Sequence, residues 1–155
     1  MREMVVEMAS IAVSKEPSTV ISAKSLGSTL AIIASDPEAG VCGIGHCVLP
    51  VATGDSTNLP DVIEQMRELF KHMLQEGADA KDMRIMLCGA ATFLEEPSEM
   101  ALGVKLYKRA VQTLKKNGLS LSGEHVGGPL NRSVFIEVGA SKAKVVLPDK
   151  KEIYI

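Results

Sequence analysis

Tryptophan is absent from this 155-residue chain, and three Phe and two Tyr are its only large aromatic side chains. The core must therefore be filled by aliphatic residues and by the eight methionines. Cysteine numbers three, an odd count without scaffold spacing; this excludes a disulfide framework and suits a reducing, cytoplasmic setting. Neither CxxC nor HxxxH occurs among the three Cys and three His, so no metal or other cofactor is expected. A surplus of basic charge is also lacking: the formal net charge is −2, which argues against a nucleic-acid partner. No apolar run approaches the length that crosses a bilayer, so no membrane insertion is expected. Glu3 and Glu7 interrupt the apolar N-terminal stretch, which therefore does not read as a signal peptide. Internal repeats and low-complexity linkers are missing too, and residues 1–155 read as one domain with a sizeable core.

What is present is organised around Ser25–Pro50, SLGSTLAIIASDPEAGVCGIGHCVLP. A small-residue turn, Leu26-Gly27-Ser28-Thr29, feeds an apolar run from Leu30 to Ala34. A polar reversal, Ser35 to Gly40, centres on Asp36-Pro37. A second apolar run, Val41 to Leu49, carries His46 and stops at Pro50. Two strands joined by this reversal would bring Thr29 and His46 together across a sheet. A hydroxyl beside an imidazole after a glycine turn is the outline of a nucleophilic site. It is equally the outline of a plain hairpin core that happens to contain a histidine.

Before this stretch, Met4–Val13 reads as a strand or strand pair, Lys15–Ser18 as a turn and Thr19–Ala23 as a short strand. After it, residues 51–58 read as a surface loop. Leu59-Pro60-Asp61 opens a helix, with Pro in the first turn. Val62, Ile63, Met66, Leu69, Phe70, Met73 and Leu74 form its apolar stripe, and Gly77 ends it. His72 falls off that stripe and reads as solvated. Met83–Cys88 is a buried strand running into Gly89-Ala90-Ala91-Thr92. A second helix is expected from about Ser98 to Asn117, with Leu102, Leu106, Val111 and Leu114 inward and Gly118 as its stop. Strands are expected at Leu119–Ser122, Ser133–Val138 and Ala143–Leu147, with a short edge strand at Glu152–Ile155. The order predicts an α/β fold: mixed β-sheets layered with two long helices.

The pattern LGS-x, apolar run, DP, then GxxHxxLP resembles the CheD family of chemoreceptor glutamine deamidases. Further matches are Thr53-Gly54-Asp55, Gly89–Thr92, Gly103 with Lys105, and Gly127-Gly128 with Arg132. The resemblance implies a compact sandwich similar to the Cys–His deamidating toxin domains. It also implies chemotaxis receptors of the methyl-accepting type and a CheC-type phosphatase as partners. Family members carry a nucleophilic Cys where this chain has Thr29, a general base at His46, and a base-orienting Thr where this chain has Ala23. His125 stands for a family Asp, and Leu106 and Asn131 also depart from the pattern.

Those departures bear on chemistry. A thiol near pKa 8.5 falls further beside an imidazole and yields a thiolate, whereas a threonine hydroxyl has no accessible anion at neutral pH. Thr29 is also β-branched and stiff, and a missing hydroxyl at Ala23 leaves the base less well fixed. Cys42, Cys47 and Cys88 read as core fillers rather than substitutes. The expectation is a CheD-like protein whose deamidase is disabled and which is kept for binding. A slow hydrolase using Thr29 and His46, or a binding module outside chemotaxis, are the alternatives.

Overall fold

The computed structural model describes residues 1–52, 58–93 and 100–155. The Thr53-Gly54-Asp55 match lies outside these. Among the described residues, ten strands and two long helices form three layers, with the helices on one sheet and that sheet on a second. The outer sheet has the order β1-β3-β8-β9-β10, made of β1 (Arg2–Val5), β3 (Thr19–Leu26), β8 (Arg132–Glu137), β9 (Lys144–Val146) and β10 (Glu152–Tyr154). The inner sheet has the order β2-β5-β4-β6-β7, made of β2 (Ile11–Ser14), β5 (Val41–Cys47), β4 (Leu30–Asp36), β6 (Arg84–Gly89) and β7 (Gly123–Val126). Both sheets are mixed, because β1–β3 and β6–β7 pair in parallel while the other pairs are antiparallel. This is the α/β sandwich of mixed sheets and two helices that the element order predicts.

The organising stretch is the hairpin β4–β5, in register from Leu30↔Cys47 to Asp36↔Val41. Every residue of both strands is buried. Alternation divides β4 between two cores: Leu30, Ile32 and Ala34 meet the helices, while Ala31 and Ile33 meet the outer sheet. The reversal is pinned by Asp36, whose carboxylate accepts from the N–H of Ala39 at 3.1 Å and of Asp79 at 2.8 Å.

Helix α1 (Val62–Gln75) starts at a capping box. The Glu64 N–H donates to Asp61 at 2.9 Å, and the Glu64 carboxylate accepts from the Asp61 N–H at 3.4 Å. Pro60 thus precedes the cap rather than occupying the first turn. Val62, Gln65, Met66, Leu69 and Met73 are buried, while Leu74 is 49% exposed and lies off the inward face. Gly77 follows the C-cap Glu76, and the Ala78 N–H closes on the Met73 carbonyl.

Helix α2 (Leu102–Lys116) follows an extended Ala101 as its N-cap; the start expected near Ser98 lies outside the described residues. Its buried residues are Gly103, Leu106, Ala110 and Leu114; Leu102 points outward. Gly103 is dictated by proximity: a Cβ there would lie 2.6 Å from the Ala90 carbonyl group. The strand expected at Leu119–Ser122 forms four residues later, as β7. Leu119 and Leu121 instead pack on the helical core; the chain reaches β6 at Ser122, whose N–H donates to the Ile85 carbonyl at 2.7 Å, and pairs with it as a strand from Gly123, with Cys88 opposite His125.

Candidate functional site

Thr29 ends the turn before β4 and shares the parity of Ala31, whose register partner is His46. Thr29 and His46 are therefore diagonal neighbours on the face toward the outer sheet. Thr29 Oγ1 lies 2.8 Å from His46 Nε2. The other ring nitrogen, Nδ1, lies 3.3 Å from the Val6 carbonyl. A carbonyl only accepts, so Nδ1 carries the proton and Nε2 is the free base. The Thr29 hydroxyl donates to it. His46 is 5% exposed. Burial pushes its pKa below the ordinary imidazole value, against the opposing pull of the Val6 carbonyl and the Glu7 charge.

Ala23 lies fully buried in the core between the sheets and offers no polar atom to the ring. The orienting partner that the sequence comparison sought at residue 23 is supplied by the backbone of Val6. The segment Val6–Ser10 drapes over β5: the Ala9 N–H donates to the His46 carbonyl at 2.8 Å, and the His46 N–H to the Ser10 carbonyl at 3.0 Å. Gln65 reaches from α1 to the same two carbonyls, with Nε2 at 3.1 Å from Ser10 and 3.2 Å from His46. Sequence reasoning missed both supports. A main-chain carbonyl leaves no residue-type signal, whereas an amide within the apolar stripe Val62–Met66–Leu69 was a signal to be found.

The turn bearing Thr29 is fixed by β6. The N–H groups of Ala90 and Ala91 donate to the carbonyls of Thr29 at 2.7 Å and Gly27 at 2.9 Å. Gly89 permits this with φ +109°, where a side chain would collide with the Thr29 carbonyl. Arg132, 3% exposed, binds this turn to the loop after β7. Its guanidinium donates to the carbonyls of Gly89 at 3.0 Å, Leu130 at 3.3 Å and Gly127, and to His125 Nδ1 at 2.7 Å. His125 is thereby neutral, its pKa lowered by burial and then by the adjacent guanidinium.

A cleft of about 370 Å³ opens beside the turn, lined by Ser28, Pro50, Thr92, Phe93, Met100 and Lys105 among others. Phe93, Met100 and Leu102 expose much of their apolar surface on its walls. Cysteine does not enter the site. Cys47 faces the helices; Cys42 and Cys88 lie in the core between the sheets. All three are free and buried, and burial pushes each thiol up to about 12. His72 sits on the exposed side of α1, bonded to the Glu68 carbonyl, away from the dyad. Among the described residues no group of three His, Cys, Asp or Glu side chains is placed to hold a metal ion. No helix among the described residues is long and apolar enough to cross a membrane.

Comparison with known proteins adds the following. A family model described as CheD chemotactic sensory transduction matches residues 61–146, a span that begins after Thr29 and His46. A protein of Solibacter usitatus, named a probable chemoreceptor glutamine deamidase CheD, is 27% identical over 92% of this chain and 87% of its own length. A protein of the same name from Caldanaerobacter subterraneus is 30% identical over 83% of each chain. One from Syntrophus aciditrophicus is 27% identical over 94% of each. A solved Neisseria meningitidis protein of the DUF152 family overlaps 77% of this chain and 52% of its own at a TM-score of 0.45 and 12% identity, too slight a likeness to carry an argument.

Proposed function

The chain belongs to the CheD family, and from that premise we propose that it is a cytoplasmic chemotaxis protein that binds chemoreceptors with its deamidase chemistry disabled. The observation that carries the reading is Thr29 itself. The side chain hydrogen-bonded to the base is a hydroxyl, not a thiol. Deamidation requires attack on a glutamine carboxamide carbon, loss of ammonia and hydrolysis of the resulting ester or thioester. A thiol beside His46 would ionise readily. A hydroxyl depends wholly on proton removal by the base during attack, and burial has made this base weaker than an ordinary imidazole. The apolar cleft walls remain, with Lys105 exposed on the rim, and provide a surface for a receptor segment or a CheC-type phosphatase. Arg109 does not line that cleft and its Nε is buried, so Lys105 is the charge to alter.

One specific observation favours a second reading. The Thr29–His46 contact and the Nδ1 contact to Val6 have the polarity of a working hydroxyl–imidazole pair, which is what a slow threonine-dependent amidohydrolase would use. Incubation with chemoreceptor cytoplasmic fragments, read by mass spectrometry for Gln-to-Glu conversion, separates the two. The expected result is conversion no faster than buffer, with calorimetric binding that weakens on Lys105→Glu. Conversion lost in both Thr29→Ala and His46→Ala would establish the slow hydrolase instead.

A further inference from the structure

A groove of about 570 Å³ lies between α1 and the C-terminal end of α2. Its floor and walls are Ile63, Met66, Phe70 and Leu74 from α1, with Thr113 and Leu119 from the α2 end. None of its lining residues is shared with the cleft beside Ser28. Leu74, read from sequence as inward, is 49% exposed here. Thr113 and Asn117 bond to main-chain carbonyls of their own helix, so the α2 wall makes few polar demands on an occupant.

The charge on the groove is of one sign. Arg67 and Lys71 line it, and no Asp or Glu does. In a chain of net charge −2 this is a local reversal. Neither cation makes an ion pair with another described residue. From Ile63 to Leu74 the α1 wall runs about 16 Å, or three helical turns.

We propose that this groove binds an amphipathic helix of a partner protein, with apolar anchors at i, i+4 and i+7 seated between α1 and α2 and acidic residues flanking them against Arg67 and Lys71. Helix-in-groove recognition uses this combination of a concave apolar floor and a charged rim. The rim cations set partner choice and association rate, while the floor supplies most of the affinity. A concave surface three turns long suits a helix better than a flat bilayer.

The test uses the full chain, isotope-labelled for NMR. Probes are a helical peptide of about 14 residues, with leucines on one face flanked by glutamates, its twin flanked by lysines, and vesicles of phosphatidylglycerol with phosphatidylcholine. The expected result is saturable shifts at Met66, Phe70 and Leu74 with the glutamate peptide and at least tenfold weaker binding of the lysine twin. Arg67→Glu combined with Lys71→Glu should reverse that preference, and Leu74→Asp should abolish binding of both peptides. These positions are exposed or on the rim, and an unchanged melting temperature will show that the variants fold. Equal binding of the two peptides, shifts at Phe93 and Lys105 instead of the groove, or binding to vesicles alone would each overturn the proposal.

Discussion

Replacing Thr29 by Cys should turn a silent position into a reactive thiol, and its pH profile distinguishes the cause. Residue 29 is half-buried, and its Oγ1 lies 2.8 Å from an unprotonated imidazole nitrogen. A thiol there can pass its proton to Nε2, because Nδ1–H is already held by Val6. Imidazole-paired thiols fall to between about 3.5 and 7.5 from about 8.5. With a fall of about two units, the thiolate fraction at pH 6 rises about 75-fold over a free thiol. Nucleophilicity drops by roughly eightfold over the same two units, at a Brønsted slope near 0.45. Alkylation at pH 6 should therefore run about tenfold faster than that of free cysteine, while at pH 8 it should run at about half the free rate. Cys42, Cys47 and Cys88 contribute no background, since burial pushes each thiol up to about 12 and removes access. The assay is iodoacetamide labelling followed by peptide mass spectrometry, repeated with His46→Ala in the same background. A rate at pH 6 equal to that of free cysteine, or one unchanged by His46→Ala, would refute the assignment of His46 as a base aimed at residue 29.

Other outcomes follow from the same geometry. Gly103→Ala puts a methyl 2.6 Å from the Ala90 carbonyl group, so urea unfolding should show a loss of about 1–3 kcal/mol, with the largest chemical-shift changes at Ala90 and Ala91. Leu69→Ala, in a fully buried position under β5, should cost about 2–5 kcal/mol in the same measurement. His125 and His46 both have folded pKa values below the unfolded one. The unfolded chain thus binds more protons, and stability should fall as pH drops below about 6.5. His125→Asp should flatten part of that slope between pH 5 and 6.5. A carboxylate beside Arg132 is held low, and its contribution is lost only nearer pH 4, through the ordinary Asp range. Thermal melts across pH 4 to 7.5 check both, and an unaltered slope in the variant would remove His125 from the account.

Much of this architecture was legible in the chain because hydrophobic alternation and turn residues agree there. The β4–β5 hairpin, the buried strand before Gly89 and the two helix stops at Gly77 and Gly118 stand where the pattern puts them. The pairing of Thr29 with His46 followed from the hairpin alone. What did not follow was set by tertiary contact. The β7 strand starts at Gly123 because it needs β6 beside it, not because its residues favour a strand. Leu102 and Leu74 belong to apolar stripes yet are exposed, each on the wall of a surface cavity rather than in the core. Arg132 matched a motif, but its four acceptors, three of them main-chain carbonyls, carry no sequence signature.

The hold of Val6 on His46 has a consequence for how this site tolerates change. A side-chain partner can be deleted by one substitution. A main-chain carbonyl survives every replacement that keeps the backbone path. The ring is thus sensitive at position 6 only through what the buried Val6 side chain does for the backbone path, and exposed instead to chain length. One residue added or removed between β1 and β2 would swing the Val6 carbonyl away from Nδ1 and shift the bonds from Ala9 and Ser10 to β5. The base is guarded against point substitution and vulnerable to insertion, at a place some 40 residues before it in the chain.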